Sequence, residues 1–367
     1  MVQGLRDKIY QERLEMLSMY SPEDRREMGN MIETFTYIKG VNKVLKESPV
    51  AFMNASTITE FVFPGLSSSR PIQLLLSVLV MMCYTAILLG NLLIVVTVHI
   101  DPRLLRSPMY FFLANLSIID TALSSVVVPK MATDLITRGN SISYGDCMSQ
   151  LFFLHVFGGS EVFLLTLMAY DRYVAICHPL TYIIKMNRPR CIRLLCWCWA
   201  GGLLHSGSQL FLILQLPFCG PNEVENFFCD VPQVVKLACV DTHVTEMLMV
   251  ANSGLINLVC FIILLISYGI ILYTLQGRLK ESGGKALYTC SSHLTVVSIF
   301  FLPCLFVYLI PIFNSSLDKI SSVFYTTITP FLNPMIYSLR NQEMKEAMGR
   351  VTKKFIFKDW YQKKGKV

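Results

Sequence analysis

The sequence predicts an all-α membrane protein: a bundle of seven transmembrane helices with its N-terminus outside and its C-terminus inside. Three observations predict it. Of 367 residues, 53% are apolar and only 16% charged, against about one quarter charged in soluble proteins. Seven runs approach the ~20 apolar residues that cross a bilayer core as a helix. Finally, Lys and Arg are concentrated in alternate connections between those runs.

The runs centre on Leu74 to Val98, Met109 to Val128, Met148 to Tyr170, Ile192 to Leu216, Met247 to Leu275, Cys290 to Ile310 and Ile320 to Tyr337. One set of connections, with the C-terminal tail, carries 18 basic residues, among them Arg103, Arg172, Arg190, Lys280 and Lys285, and the other set carries 5. Short basic loops stay in the cytoplasm, so the tail is expected inside. The net charge of +7 is then chiefly a topology signal, with a basic tail suited to anionic lipid, and nucleic acid is not an expected partner.

Residues 1–52 are of another kind, holding 8 basic and 8 acidic residues and no apolar stretch that would serve as a signal peptide. They are expected to be an alternative-start extension or a disordered polar tail. Residues 53–73 then form an extracellular N-terminus, 74–337 the membrane bundle and 338–367 a cytoplasmic basic tail.

Of 12 cysteines, Cys83, Cys177, Cys191, Cys196, Cys198, Cys260, Cys290 and Cys304 fall in spans or at their cytoplasmic edge and read as thiols. Cys147, Cys219, Cys229 and Cys239 fall on the oxidising side, and four cysteines allow three pairings. Three of these sit in the loop from Pro217 to Thr245, which also holds Glu223, Glu225, Asp230 and Asp241. A loop this long on a compact bundle is usually functional, here as a lid.

Ionisable groups inside spans mark function because lipid makes them costly. Asp120 in span 2 and Glu161 in span 3 lie at similar depth, where two carboxylates suit a shared proton, a sodium ion or a hydrogen-bonded structural pair. Asn91, Asn252, Asn257 and Asn333 are expected to bond to neighbouring helices. His155, Asn252, Ser253 and Tyr308 fall at comparable depth on three spans. Gly158 and Gly159 either let helices approach closely or leave a cavity. Pro303, Pro330 and Pro334 mark bends in spans 6 and 7. Nothing forms a nucleophile with its base, a metal cluster or a phosphate loop, so an enzyme is not expected.

Gly90-Asn91, the string from Pro108 to Leu113, and Leu116-Ser117 with Asp120 resemble the olfactory receptor family of rhodopsin-like, G-protein-coupled receptors. The resemblance continues in Met168 to Cys177, Ser267-Tyr268, Lys285-Ala286, Thr289-Cys290, Ser292-His293, and Pro330 to Asn341. It covers Met53 to about Gly349, and points to the tetrapod-type odorant receptors. It implies a multi-pass receptor of the cell membrane, with small odorant molecules and a heterotrimeric G protein of the olfactory Gs type as partners. Disulfides Cys147 to Cys229 and Cys219 to Cys239, a glycan on Asn54, and an internal cation or proton site at Asp120 and Glu161 are implied with it. Asp171, Arg172, Tyr173, Tyr268, Asn333, Pro334 and Tyr337 would serve coupling and switching. Phe301 would be the switch residue where many relatives in the wider class have tryptophan. The chain departs from the family at Leu287-Tyr288, where a small hydroxyl residue is common.

The expected pocket is His155, Gly158, Gly159, Asn252, Ser253, Leu305 and Tyr308, among spans 3, 5, 6 and 7. A few hydrogen-bonding groups in an apolar wall suit small, weakly polar volatile molecules. No resident cofactor is expected beyond a sodium ion. A metabolite-sensing receptor expressed elsewhere is the alternative, and a secondary transporter using Asp120 and Glu161 as a relay is a weaker one, since no repeated halves are present.

Overall fold

The computed structural model describes residues 58–64, 69–137, 139–219, 222–276, 294–305, 319 and 321–364. The chain divides into two units, Met1–Ser56 and Thr57–Val367, and every described residue belongs to the second. The expectations for residues 1–52, Asn54, Leu287, Tyr288 and Tyr308, and for the side chain of Tyr337, lie outside the described residues.

Strand β1 (Glu60–Val62) precedes α1 (Arg70–Ile100), a short α2 (Pro102–Arg106) and α3 (Pro108–Thr137). Strand β2 (Ser141–Ser143) leads into α4 (Tyr144–Cys177), followed by a 3-10 turn at Pro179–Thr181, α5 (Tyr182–Lys185) and α6 (Arg188–Ile213). The lid carries α7 (Val231–Val235) and leads to α8 (His243–Gln276). Helix α9 covers Leu294–Leu305. A π-turn at Phe324–Ile328 opens into α10 (Thr329–Arg340), and α11 (Gln342–Lys364) follows.

Four of these helices, α1, α3, α4 and α8 over His243–Leu275, are long and apolar enough to cross a membrane. The polarity of the bundle's helices is inverted relative to a soluble bundle. On α6, Leu204 and Phe211 are exposed while Ser206 and Gln209 are buried. On α1, Leu75, Met82 and Leu89 face outward while Asn91 and Thr97 are buried. Apolar side chains outside and polar ones inside is the pattern that lipid selects, because backbone and side-chain polar groups must find partners within the bundle.

Local signals set the boundaries. Ser143 caps α4 by accepting from Asp146 N at 3.1 Å, and Asn187 caps α6 by accepting from Arg190 N at 3.0 Å, with Pro189 in the first turn where its missing N–H costs nothing. The sequence places the end of span 4 at Leu216, but α6 stops at Ile213. Pro217 accounts for the difference, since proline disfavours helical backbone in the residue before it.

Span 7 contains two prolines, each of which removes the N–H that would bond the carbonyl four residues earlier. Pro330 frees the carbonyl of Thr326, and Ser124 Oγ of α3 shares its one proton between that carbonyl at 3.3 Å and Asp120 O of its own helix at 2.9 Å. Pro334 frees the carbonyl of Pro330, and Asn91 Nδ2 of α1 donates to it at 3.2 Å. Buried backbone acceptors are thus repaired from two other helices, meeting the requirement that such groups be paired. Of the asparagines expected to bridge helices, Asn91, Asn252 and Asn333 do so. Asn257 instead donates to Ser253 O of its own helix at 2.9 Å, a bond that the spacing of four residues along a helix makes available.

Helices α4 and α6 touch backbone to backbone. A Cβ on Gly159 would lie 3.2 Å from Gly202 Cα, and one on Gly202 would lie 2.2 Å from Ser160 Oγ and 2.6 Å from Val156 O. Gly202→Ala should therefore push the helices apart and destabilise the receptor by about 1–3 kcal/mol, as overpacking does. Gly207→Ala on the same helix, where a Cβ meets nothing within 4 Å, should be neutral or slightly stabilising. Thermal unfolding of the two purified variants in detergent checks the contrast.

Candidate functional site

Between the helices lies a cavity of about 550 Å³ of atom-free space, its open mouth included. Helix α4 supplies Leu154, His155, Gly158, Gly159 and Val162, and α8 supplies Ser253, Ile256 and Asn257. Leu123 of α3, His205 of α6, Phe300 and Cys304 of α9, and Tyr325 of the π-turn complete the described wall. Gly158 is open, since a Cβ there meets nothing within 4 Å, whereas Gly159 is committed to α6. The two adjacent glycines thus divide the alternatives the sequence left open, one making space and the other allowing close approach.

His155, Gly158, Gly159 and Ser253 of the expected pocket line this cavity. Asn252 does not: it turns toward α6 and donates to Ser208 Oγ at 2.8 Å, a polar partner on the adjacent helix drawing it aside. Leu305, half-buried one residue beyond Cys304, is absent from the described wall. The wall also takes in spans 2 and 4, beyond the four spans expected. Sequence reasoning missed His205, whose ring centroid lies 5.8 Å from that of His155. A signal was available, a histidine inside an apolar span one turn past Gly201-Gly202.

The lid closes over this region. Cys147 at the start of α4 is bonded to Cys229, and Cys219 to Cys239. Gln150 accepts from Cys229 N at 2.9 Å and donates to Val126 O at 3.0 Å, so the lid is fixed to α4 and α3 together. Val62 N donates to Asn222 O and Val224 N to Val62 O, both at 2.8 Å, tying β1 to the same lid. Phe228 and Val234 of the lid are fully buried.

Asp230, counted in the sequence among the lid's acidic residues, is buried rather than part of an exposed acidic surface. It accepts from Tyr325 Oη at 3.0 Å and from Val231 N at 2.9 Å, so the same tyrosine lines the cavity and holds the lid. Burial raises the Asp230 carboxyl from 3.8 to about 6, with the two donors opposing the rise.

Below the cavity, Asn333 Nδ2 donates to both oxygens of Asp120 at 2.9 and 3.2 Å. Glu161 interacts with Asp120, and among the described residues neither of its buried oxygens has a hydrogen bond from a neutral donor. Phe301 is buried, with its ring stacked on Phe261 at 5.8 Å and edge-on to Phe300 at 5.4 Å.

At the opposite end of α4 from Cys147, Arg172 donates to Asp171 Oδ2 through NH2 at 2.6 Å and Nε at 3.2 Å. Tyr182 of α5, not singled out by the sequence, donates to Asp171 Oδ1 at 2.9 Å. Both oxygens of Asp171 are thereby occupied. Tyr173 Oη pairs with His178 Nε2 at 3.1 Å, and Tyr268 is buried. Arg350 of α11 bonds Asp101 at 2.6 Å, and its guanidinium holds that carboxyl below its ordinary value against the opposing effect of burial.

Apolar outward faces, four described helices of membrane-spanning length and a cavity between helices closed off by buried polar contacts fit a membrane-embedded helical bundle. A family profile described as "Olfactory receptor" matches residues 80–356. Human olfactory receptor 4Q3 is 58% identical over 296 residues, 81% of this chain and 95% of that relative. Mouse olfactory receptor 4E2 is 52% identical over 304 residues, 83% of this chain and 98% of the relative. The chain belongs to the olfactory receptor family, and is a multi-pass, G-protein-coupled membrane receptor rather than an enzyme.

Because Asp230 binds its proton more tightly folded than unfolded, the folded receptor gains stability as pH falls through about 6 and loses it as pH rises through that value. The melting temperature of the purified receptor should therefore rise between about pH 7.5 and about pH 5 relative to Asp230→Asn, in which this proton linkage is gone.

Proposed function

We propose that this olfactory receptor binds small, mostly apolar volatile molecules in the cavity beneath the lid and activates a G protein of the olfactory Gs type, raising cAMP. The observation that carries the reading is the cavity itself, apolar on most of its wall, with a few polar groups converging on it. Its N-terminus faces outside and its basic tail the cytoplasm, which puts the disulfides in the oxidising compartment and Arg172 at the G-protein side.

In the resting arrangement Asp171, itself held by Tyr182, pairs with Arg172. An agonist must bind the active arrangement more tightly than this one, since only differential affinity shifts a population. The spans lining the cavity include α9 with Phe300 and Cys304, and outward motion of that span releases Arg172 to meet the G protein, with Tyr268 and Tyr337 closing behind it.

Asp120 and Glu161 form the internal cation or shared-proton site. The donor set fits: two buried carboxylates face one another with Asn333 the one neutral side-chain donor among the described residues, and such a pair is tolerated only when one charge is neutralised. A bound sodium ion would supply that neutralisation, held by these two side chains.

In cells expressing the receptor at the surface, a broad odorant panel should contain agonists that raise cAMP without being transported, and silence across the panel would overturn the receptor reading. Arg172→Ala, at equal surface expression, should abolish the agonist-dependent rise. A full response would remove Arg172 from coupling.

A further inference from the structure

The cavity's polar groups share a direction that its residue types do not reveal. His155 Nδ1 lies 3.0 Å from Leu151 O. A carbonyl oxygen only accepts, so Nδ1 carries the proton. His155 is 5% exposed, and its Nε2 has no partner among the described residues. Two adjacent imidazoles in an apolar wall, neither bonded to a carboxylate, do not both carry charge. In the neutral ring Nε2 is a bare acceptor.

The same reasoning fixes one further group. Asn257 donates its amide to Ser253 O at 2.9 Å, which assigns the amide orientation and leaves Oδ1, buried and without a partner, as an acceptor. His205 Nδ1 is also buried without a partner among the described residues. Tyr325 has committed its proton to Asp230. Ser253, which accepts from Gln209 Nε2 at 2.8 Å, is the one described lining hydroxyl that retains a proton to offer.

Resting on the odorant-receptor reading, we infer that this cavity is built for ligands that donate a hydrogen bond, namely alcohols and phenols, and discriminates against ketones, esters and ethers of the same skeleton. A ligand hydroxyl donates to His155 Nε2 and accepts from Ser253. An ether or carbonyl oxygen can accept from Ser253 but leaves both bare acceptors, His155 Nε2 and Asn257 Oδ1, unpaired. Discrimination of this kind is strong because a buried group left unpaired is costly.

The test uses the full-length receptor in the cAMP assay, with matched alcohol, methyl ether and ketone members on several aliphatic and aromatic skeletons, including phenol against anisole and 2-octanol against 2-octanone. On each skeleton that activates, the hydroxyl member should be about tenfold or more the more potent. Equal or greater potency of ethers or ketones overturns the inference while leaving the receptor reading intact, whereas absence of any agonist in the broad panel defeats that reading instead. His155→Phe should lower hydroxyl potency about tenfold and shrink the gap between alcohol and ether. An equal loss for every ligand would mark His155 as structural and overturn its assignment. Asn257→Leu provides the same comparison should His155→Phe fail to reach the surface.

Discussion

The hydrogen bonds that spans 1 and 2 lend to span 7 underlie the rest of the bundle. Two prolines in one membrane helix leave two carbonyls without their helical donors, and lipid offers no water to replace them. Ser124 and Asn91 fill those places, and Asn333 returns a bond to Asp120 from the same helix. Span 7 is thus held by side chains where its own backbone ladder is interrupted. A helix held this way can exchange one set of partners for another without breaking a continuous ladder, which suits an element that must move.

The lid is joined to the same helix from the other end. Tyr325 sits in the π-turn, lines the cavity and donates to Asp230, while the Cys147 to Cys229 bond and Gln150 fix the lid to α4. Any ligand that displaces Tyr325 acts on lid and helix together. At the far end, Tyr182 and Arg172 divide the two oxygens of Asp171, so releasing the arginine means disturbing a short helix outside the membrane as well as a span within it. The cavity and the Asp171–Arg172 pair are therefore joined through packed helices whose ends are both pinned by polar contacts.

Much of this was legible in the sequence for simple reasons. Apolar run length fixed the spans, because the bilayer sets one dimension for every helix. Buried Asp120 and Glu161 stood out because charge in lipid is rare. His155, Gly158, Gly159 and Ser253 reached the cavity because depth along a helix is readable from position. What was not legible depends on rotation about the helix axis and on partners distant in sequence. Asn252 and Ser253 are neighbours, yet one faces α6 and the other the cavity. His205 contributes only because α6 is drawn against α4 by Gly202, and Asp230 became a buried acceptor only once Tyr325 was placed beside it.

The pair Gly158 and Gly159 has a consequence for how such a receptor diversifies. The second is locked into the contact between two helices, so change there disturbs the fold. The first borders empty space, so a single nucleotide change that adds a methyl or a hydroxymethyl group would trim the chamber and leave the scaffold untouched. Chamber size and structural integrity are assigned to neighbouring codons, and a lineage can vary the chamber at one without renegotiating the architecture set by the other.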